Sequence, residues 1–172
     1  MVRICIRDHQ RKGNPVKKYL LSFLLALSTL PGFALAADTA PAPQAKPQDP
    51  TLEQARAAIQ KKDWPAAQSI LRDAVARDPS KADYHNLYAY SIRKGANPDM
   101  SLVFKEYNQA LSIDPKHKGA HEYLGEAYLM VGNVEKAKEH LAQLDKICFF
   151  PCPEFSELKT AIADFETKKV AR

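Results

Sequence analysis

Glycine is scarce in this chain, six among 172 residues. None of the six opens a phosphate-cradling loop or a G-x-S-x-G nucleophile elbow, so the signatures of nucleotide binding and of serine hydrolysis are missing. Neither Asn-Gly nor Asp-Gly occurs and β-branched runs are few, which removes the usual hairpin signals of a β protein. Cysteine is down to three, with no cysteine–histidine grouping of a recognised catalytic kind. No apolar run is long enough to span a bilayer comfortably.

What is there begins with the most apolar stretch, YLLSFLLALSTL at residues 19–30. Lys17 and Lys18 precede it, Pro31 and Gly32 break it, and ALAAD follows, with Ala34 and Ala36 as a small-residue pair. A basic start, an apolar middle and a small-residue exit form the layout of a secretory signal peptide. Residues 1–36 are therefore expected to be cleaved off between Ala36 and Ala37. That would leave a periplasmic or secreted protein with no stable membrane insertion. No cysteine stands at the cleavage point to take a lipid anchor. Residues 1–15 are long for a basic start, and a start at Val16 would give a compact one, so they read as a mis-assigned beginning.

The net charge of +5 changes meaning once residues 1–36 are set aside. They hold Arg3, Arg7, Arg11, Lys12, Lys17 and Lys18 against Asp8 alone, and the remainder has 19 basic and 19 acidic residues. The high isoelectric point belongs to the export signal and gives no argument for a nucleic-acid partner. The same cut removes Cys5 and leaves two cysteines in an oxidising compartment. Residues 37–49, rich in proline and alanine, cannot bury enough apolar surface to fold and read as a disordered linker.

From residue 50 onward apolar residues recur every three or four positions, the period of a helix. Laying the chain on itself exposes a repeat. In AHEYLGEAYLMVGNVEKAKEHLAQL, residues 120–144, His121, Leu124, Gly125 and Tyr128 share one helix face and Ala137, Leu141 and Leu144 share a second. Stepping back 36 residues gives His85, Tyr88, Ala89 and Ile92; stepping back 34 gives Val103, Tyr107 and Ala110. The difference falls in the turn KGANPDM, where insertion is cheap. A further step gives Ala55 and Ala58, then Trp64, Ala67, Leu71 and Ala74. Small residues recur where helices must cross closely: Ala55, Ala89 and Gly125 in the first helix, Ala67 and Ala137 in the second. Pro79 and Pro115, each after Asp, end the second helix. Pro65 suits a first helical turn with Asp63 as its cap.

This period and pattern resemble the tetratricopeptide repeat, W-x2-L-G-x2-Y followed by A-x3-F and P, with HEYLGEAY the best match. The pattern departs at Thr51 and Gln54 in the first repeat, at Val103 in the second, and at Phe149, where a proline would end the third. The resemblance implies an all-α fold: a right-handed α-solenoid of three helix-turn-helix repeats (50–81, 82–117 and 118–148). Residues 149–172 would form a Cys/Pro turn and a capping helix. In that helix Phe155, Leu158, Ile162 and Phe165 form one stripe, with polar residues opposite, as a solenoid end requires.

Four histidines remain in the expected mature chain. His117 and His121 are four apart and His140 lies on the partner helix, but His85 and His121 share one repeat slot, a packing position in the family. No convergent carboxylate or thiolate set accompanies them, so no metal, no cofactor and no enzymatic activity are expected. The resemblance instead implies a groove lined by the first helix of each repeat, receiving a protein or peptide partner. By repeat register the groove residues are Arg56, Gln60, Asn86, Tyr90, Arg93, Glu122, Glu126 and Leu129. The carboxylate clamp of one family subclass is absent, with Leu52, Arg56 and Leu87 in its places. A monomeric, exported protein-binding scaffold is the expectation. Cys148 and Cys152 stand across Pro151, each the other's sole partner after export, and are expected to form a disulfide pinning the cap, with Phe149, Phe150 and Phe155 packed beneath. An envelope thiol-redox protein using the same cysteines, or a metal carrier, remains the alternative.

Overall fold

A computed structural model describes residues 49–150 and 152–170. Seven helices follow one another: α1 (Pro50–Gln60), α2 (Trp64–Arg77), α3 (Ala82–Lys94), α4 (Met100–Ile113), α5 (Lys118–Met130), α6 (Val134–Ile147) and α7 (Pro153–Val170). No strand occurs among the described residues. The signal peptide with its Ala36–Ala37 junction, and the linker before Asp49, lie outside them.

The second helix of each pair is started by a side chain in the same slot. Asp63, Asp99 and Asn133 accept the backbone N–H of Ala66, Leu102 and Lys136 at 3.1 Å each. Each satisfies one donor that the first helical turn cannot pair internally. The three helices so started are all 14 residues long. Two of the intervening turns are the same turn. Lys62 (φ 58°) and Gly132 (φ 80°) sit in the left-handed region, and their N–H groups bond the carbonyls of Ile59 and Leu129. The next residues, Asp63 and Asn133, reach back to Ala58 and Tyr128. Glycine adopts this conformation freely, whereas lysine pays a steric penalty of about 1–2 kcal/mol. The middle turn, two residues longer, runs through Gly95 instead.

Small residues let the helices of each pair approach. Ala55, Ala67, Ala89 and Ala137 are wholly buried, and the larger Leu71, Val103, Tyr107, Leu124 and Leu144 fill the space between them. Contiguous clusters join neighbours: Ala55, Ala67 and Leu71 between α1 and α2, and Ala89, Val103, Tyr107 and Leu124 across α3, α4 and α5. At Gly125 the close neighbour is not the pair partner α6 but α7. A methyl group there would meet the Leu158 side chain at 2.6–3.2 Å. Leu158 and Ile162 close the last cluster with Leu129, Ala137 and Leu144, flanked by Phe155 and Phe165. The outward side of α7 is polar, so the stack ends in a face that water can wet.

Candidate functional site

The joints between hairpins carry buried polar chemistry. His85 Nε2 lies 3.0 Å from the carbonyl of Pro79, and its Nδ1 lies 2.6 Å from Glu106 Oε2. One repeat on, His121 Nε2 lies 3.1 Å from the carbonyl of Pro115 and its Nδ1 lies 3.0 Å from His140 Nδ1. A carbonyl only accepts, so each Nε2 carries the hydrogen. In neutral His121 the Nδ1 must then accept, and His140 donates through its own Nδ1. Burial holds both rings below the usual imidazole range, His140 down to about 4 with the neighbouring His121 adding to the effect. His117 stands apart from this pair: its ring accepts the Ala120 N–H as the cap of α5, and its Nε2 lies 3.3 Å from Asp83. Among the described residues no group of three or more metal-ligating side chains converges.

The first joint carries a second tie, through a residue the sequence pattern did not single out. Asp49, cap of α1, accepts from Lys81 Nζ at 2.6 Å and from the Tyr84 hydroxyl at 2.7 Å. These bonds hold its carboxyl well below the ordinary range. The signal available was Asp49 before Pro50, a helix-start pair.

The eight residues assigned to the groove divide by exposure. Arg56 and Gln60 are open, and Tyr90 and Glu126 are half-buried. Asn86, Arg93, Glu122 and Leu129 are buried instead of open. The causes are specific. Arg93 is drawn between helices by Glu126, its Nη2 2.6 Å from Oε2 in an ion pair, and by the Tyr107 hydroxyl, 3.3 Å from Nε. Its guanidinium also lies over the rings of Tyr90 and Tyr123, at 5.5 and 5.7 Å. Asn86 packs near Gly119 at the start of α5, leaving its Oδ1 without a partner among the described residues. Glu122 and Leu129 are covered by α7, Leu129 sharing the cluster of Leu158 and Ile162.

Around Arg93 the aromatic rings form a row that register alone did not bring out. Trp64 meets Tyr90 edge-on at 6.2 Å, Tyr90 meets Tyr123 at 4.7 Å, and Tyr123 meets the buried Tyr107 at 6.4 Å. Burial pushes the phenols of Tyr107 and Tyr123 upward, so both stay neutral hydrogen-bonding groups. Trp64, Tyr90 and Tyr123 are each partly exposed. With Arg56 and Gln60 they give the chain an amphipathic contact surface reaching from the first repeat to the edge of the third. Beyond them, a cleft of about 420 Å³ between α5 and α7 is lined by Glu126, Glu157, Asp164, Ser156, Thr160 and Ala161.

At the far joint the sulfurs of Cys148 and Cys152 lie side by side, with their Cα atoms 5.9 Å apart. Cys148 caps α6, its N–H bonding the carbonyl of Leu144. The packing expected for the neighbouring phenylalanines is not found. Phe149 and Phe150 are 93% and 75% exposed and meet each other edge-on; only Phe155 joins the core.

Residues 104–162 match the tetratricopeptide repeat family model. Among the curated proteins no match in sequence is found. Solved structures of similar fold include the Yersinia enterocolitica type III secretion chaperone SycD in complex with a peptide of the translocator YopD. It is 17% identical, with a TM-score of 0.57 over 71% of this chain and 92% of that one. The OM64 TPR domain of Arabidopsis is 18% identical, with a TM-score of 0.59 over 69% and 93% of the two chains. The TPR2B domain of yeast Sti1, in complex with pHsp70, is 16% identical, with a TM-score of 0.53 over 70% and 99%. Three stacked hairpins and a terminal helix give this chain the helical solenoid fold of those structures, and residues 104–162, from α4 into α7, match the tetratricopeptide repeat family model.

Proposed function

We propose that this protein is an exported, non-enzymatic scaffold that binds a protein or peptide segment against the groove face of its first two repeats. The observation that carries the reading is the surface left open there, Arg56 and Gln60 together with Trp64 and Tyr90, whose ring row continues to Tyr123 at the edge of the third repeat. Amphipathic aromatic rings give large contact area at low entropic cost, and the flanking polar groups set orientation. Two proteins of similar fold are seen with a peptide of YopD and with pHsp70 respectively, which supports the use of such a surface. Affinity capture from envelope extract with the native protein, against Tyr90→Ala and Arg56→Ala variants, tests it. Loss of one reproducible partner from the variants is expected, and equal recovery from all three removes the groove from consideration.

Export is part of the same reading. It expects a secreted chain beginning at Ala37, a monomer, and a Cys148–Cys152 disulfide formed on the way out. Closing so short a loop contributes about 2 kcal/mol through the unfolded state. Mass spectrometry of natively exported protein checks both the new N-terminus and the absence of free thiols. A measured reduction potential separates the staple from a redox role: below about −300 mV it is structural, and near −200 mV it is a working thiol pair.

A further inference from the structure

The described residues contain two buried glutamates, and only one is matched by a base. Glu106 lies against His85, whereas Glu122, 3% exposed, takes part in no ion pair among the described residues. Glu122 stands one turn before Gly125, where α7 makes its closest approach through Leu158. The residue before Leu158 is Glu157, which brings a second acid to the α7 side of Glu122. A carboxyl buried beside other acids with no counter-charge holds its proton instead of ionising.

The surroundings supply no positive charge to change that conclusion. On α5 the neighbours are Glu126 and Tyr123, and on α7 they are Glu154 and Glu157. From α3 come Tyr90 and Arg93, and the Arg93 charge is already paired with Glu126. Tyr107 of α4 bonds Arg93, and Lys138 of α6 pairs with Glu166 of α7 at 2.7 Å.

We propose that α7 is a proton-held cover over the groove face of the third repeat. Glu122 keeps its proton while α7 is docked and loses it when α7 lifts, uncovering Glu122, Glu126 and Leu129. The benefit of uncovering that face rests on the groove reading; the proton linkage does not. Burial, with Glu157 adding to it, pushes Glu122 up to about 9 from an ordinary 4.5. The sign follows: the docked form is the stronger proton binder. Docking is therefore fully favoured below about pH 4.5, weakens as pH rises and reaches its floor above about pH 9, by no more than about tenfold per pH unit.

Hydrogen exchange of the full chain, read by mass spectrometry on peptides from α7 and corrected for intrinsic rates, tests the linkage between pH 5.5 and 8.5. In the native protein the protection of α7 is expected to fall with rising pH, while peptides from α1 to α4 hold theirs. Glu122→Gln cannot ionise, so its α7 should keep the same protection across the range. Should that variant fail to fold, Glu157→Gln, at an exposed position, is expected to make the profile shallower, because burial of Glu122 remains while the neighbouring acid is gone. A slope shared by the native protein and the variant, or by α7 and the first four helices alike, overturns the proposal. Partner capture measured in parallel keeps the two readings apart, since loss of the groove partner at every pH leaves the exchange result standing.

Discussion

Gly125 offers the sharpest quantitative test of how α7 is seated. An alanine methyl there would approach Leu158 Cδ2 to 2.6 Å, Cδ1 to 2.7 Å and Cγ to 3.2 Å. Leu158 is wholly buried against Leu129, Leu144 and Ile162, so its branched end cannot turn aside without moving them. Overpacking of this kind costs about 1–3 kcal/mol. Against it stands the better helix propensity of alanine, worth about 1 kcal/mol. Gly125→Ala should therefore be destabilising by up to about 2 kcal/mol. Leu158→Ala alone leaves a cavity and should cost about 2–5 kcal/mol. Combined, the two changes should cost less than their sum by about 1–3 kcal/mol, because the new methyl enters space that the leucine vacated. Urea unfolding of the four proteins measures the coupling. A sum additive to within about 0.5 kcal/mol, or a Gly125→Ala variant more stable than the native chain, would refute the close α5–α7 contact.

Lys62→Gly should stabilise the protein by about 1 kcal/mol by relieving the left-handed turn, and Gly132→Ala should destabilise it by a similar amount although open space surrounds that position; thermal melts of both variants check the pair. Replacing Asp63, Asp99 or Asn133 by alanine should cost about 1 kcal/mol each in urea unfolding, as loss of a helix cap does. Glu106→Ala should cost about 3 kcal/mol by leaving His85 with a buried, unmatched nitrogen. Glu106→His, which copies the arrangement at His140, should cost clearly less in the same assay.

Much of the fold was legible because a repeat states each requirement more than once. Ala55, Ala89 and Gly125 marked one close crossing, and the offset of 36 and 34 residues located the longer middle turn correctly. Legibility ended where a residue answers to an element outside its own hairpin. Register places Glu122 and Leu129 on the same face as Arg56, yet it cannot tell that α7 lies across only the third copy of that face. Arg93 is similar: its place in the pattern is a groove position, but Glu126 and Tyr123 of the next repeat, with Tyr107 of its own, draw it inward. His121 and His140 meet because both helices of one hairpin turn toward the preceding proline, whereas His117, nearer in sequence, is engaged as a cap. The exposed pair Phe149 and Phe150 shows the converse: an apolar residue type alone did not decide burial in a turn of five residues.

The bonds from His85 to Pro79 and from His121 to Pro115 give the stack a direction of growth. Each gripping histidine, with its helper Glu106 or His140, belongs to the later hairpin and closes on the tail of the earlier one. The first hairpin has Thr51 and Ile70 in those two places, so it can be held but has nothing with which to hold. A longer array built by inserting a second copy of the middle hairpin would have every seam fastened. One built by doubling the first hairpin would contain an unfastened seam at its centre. The protein's modularity is thus directional, a chain of hooks and eyes whose opening link is an eye alone.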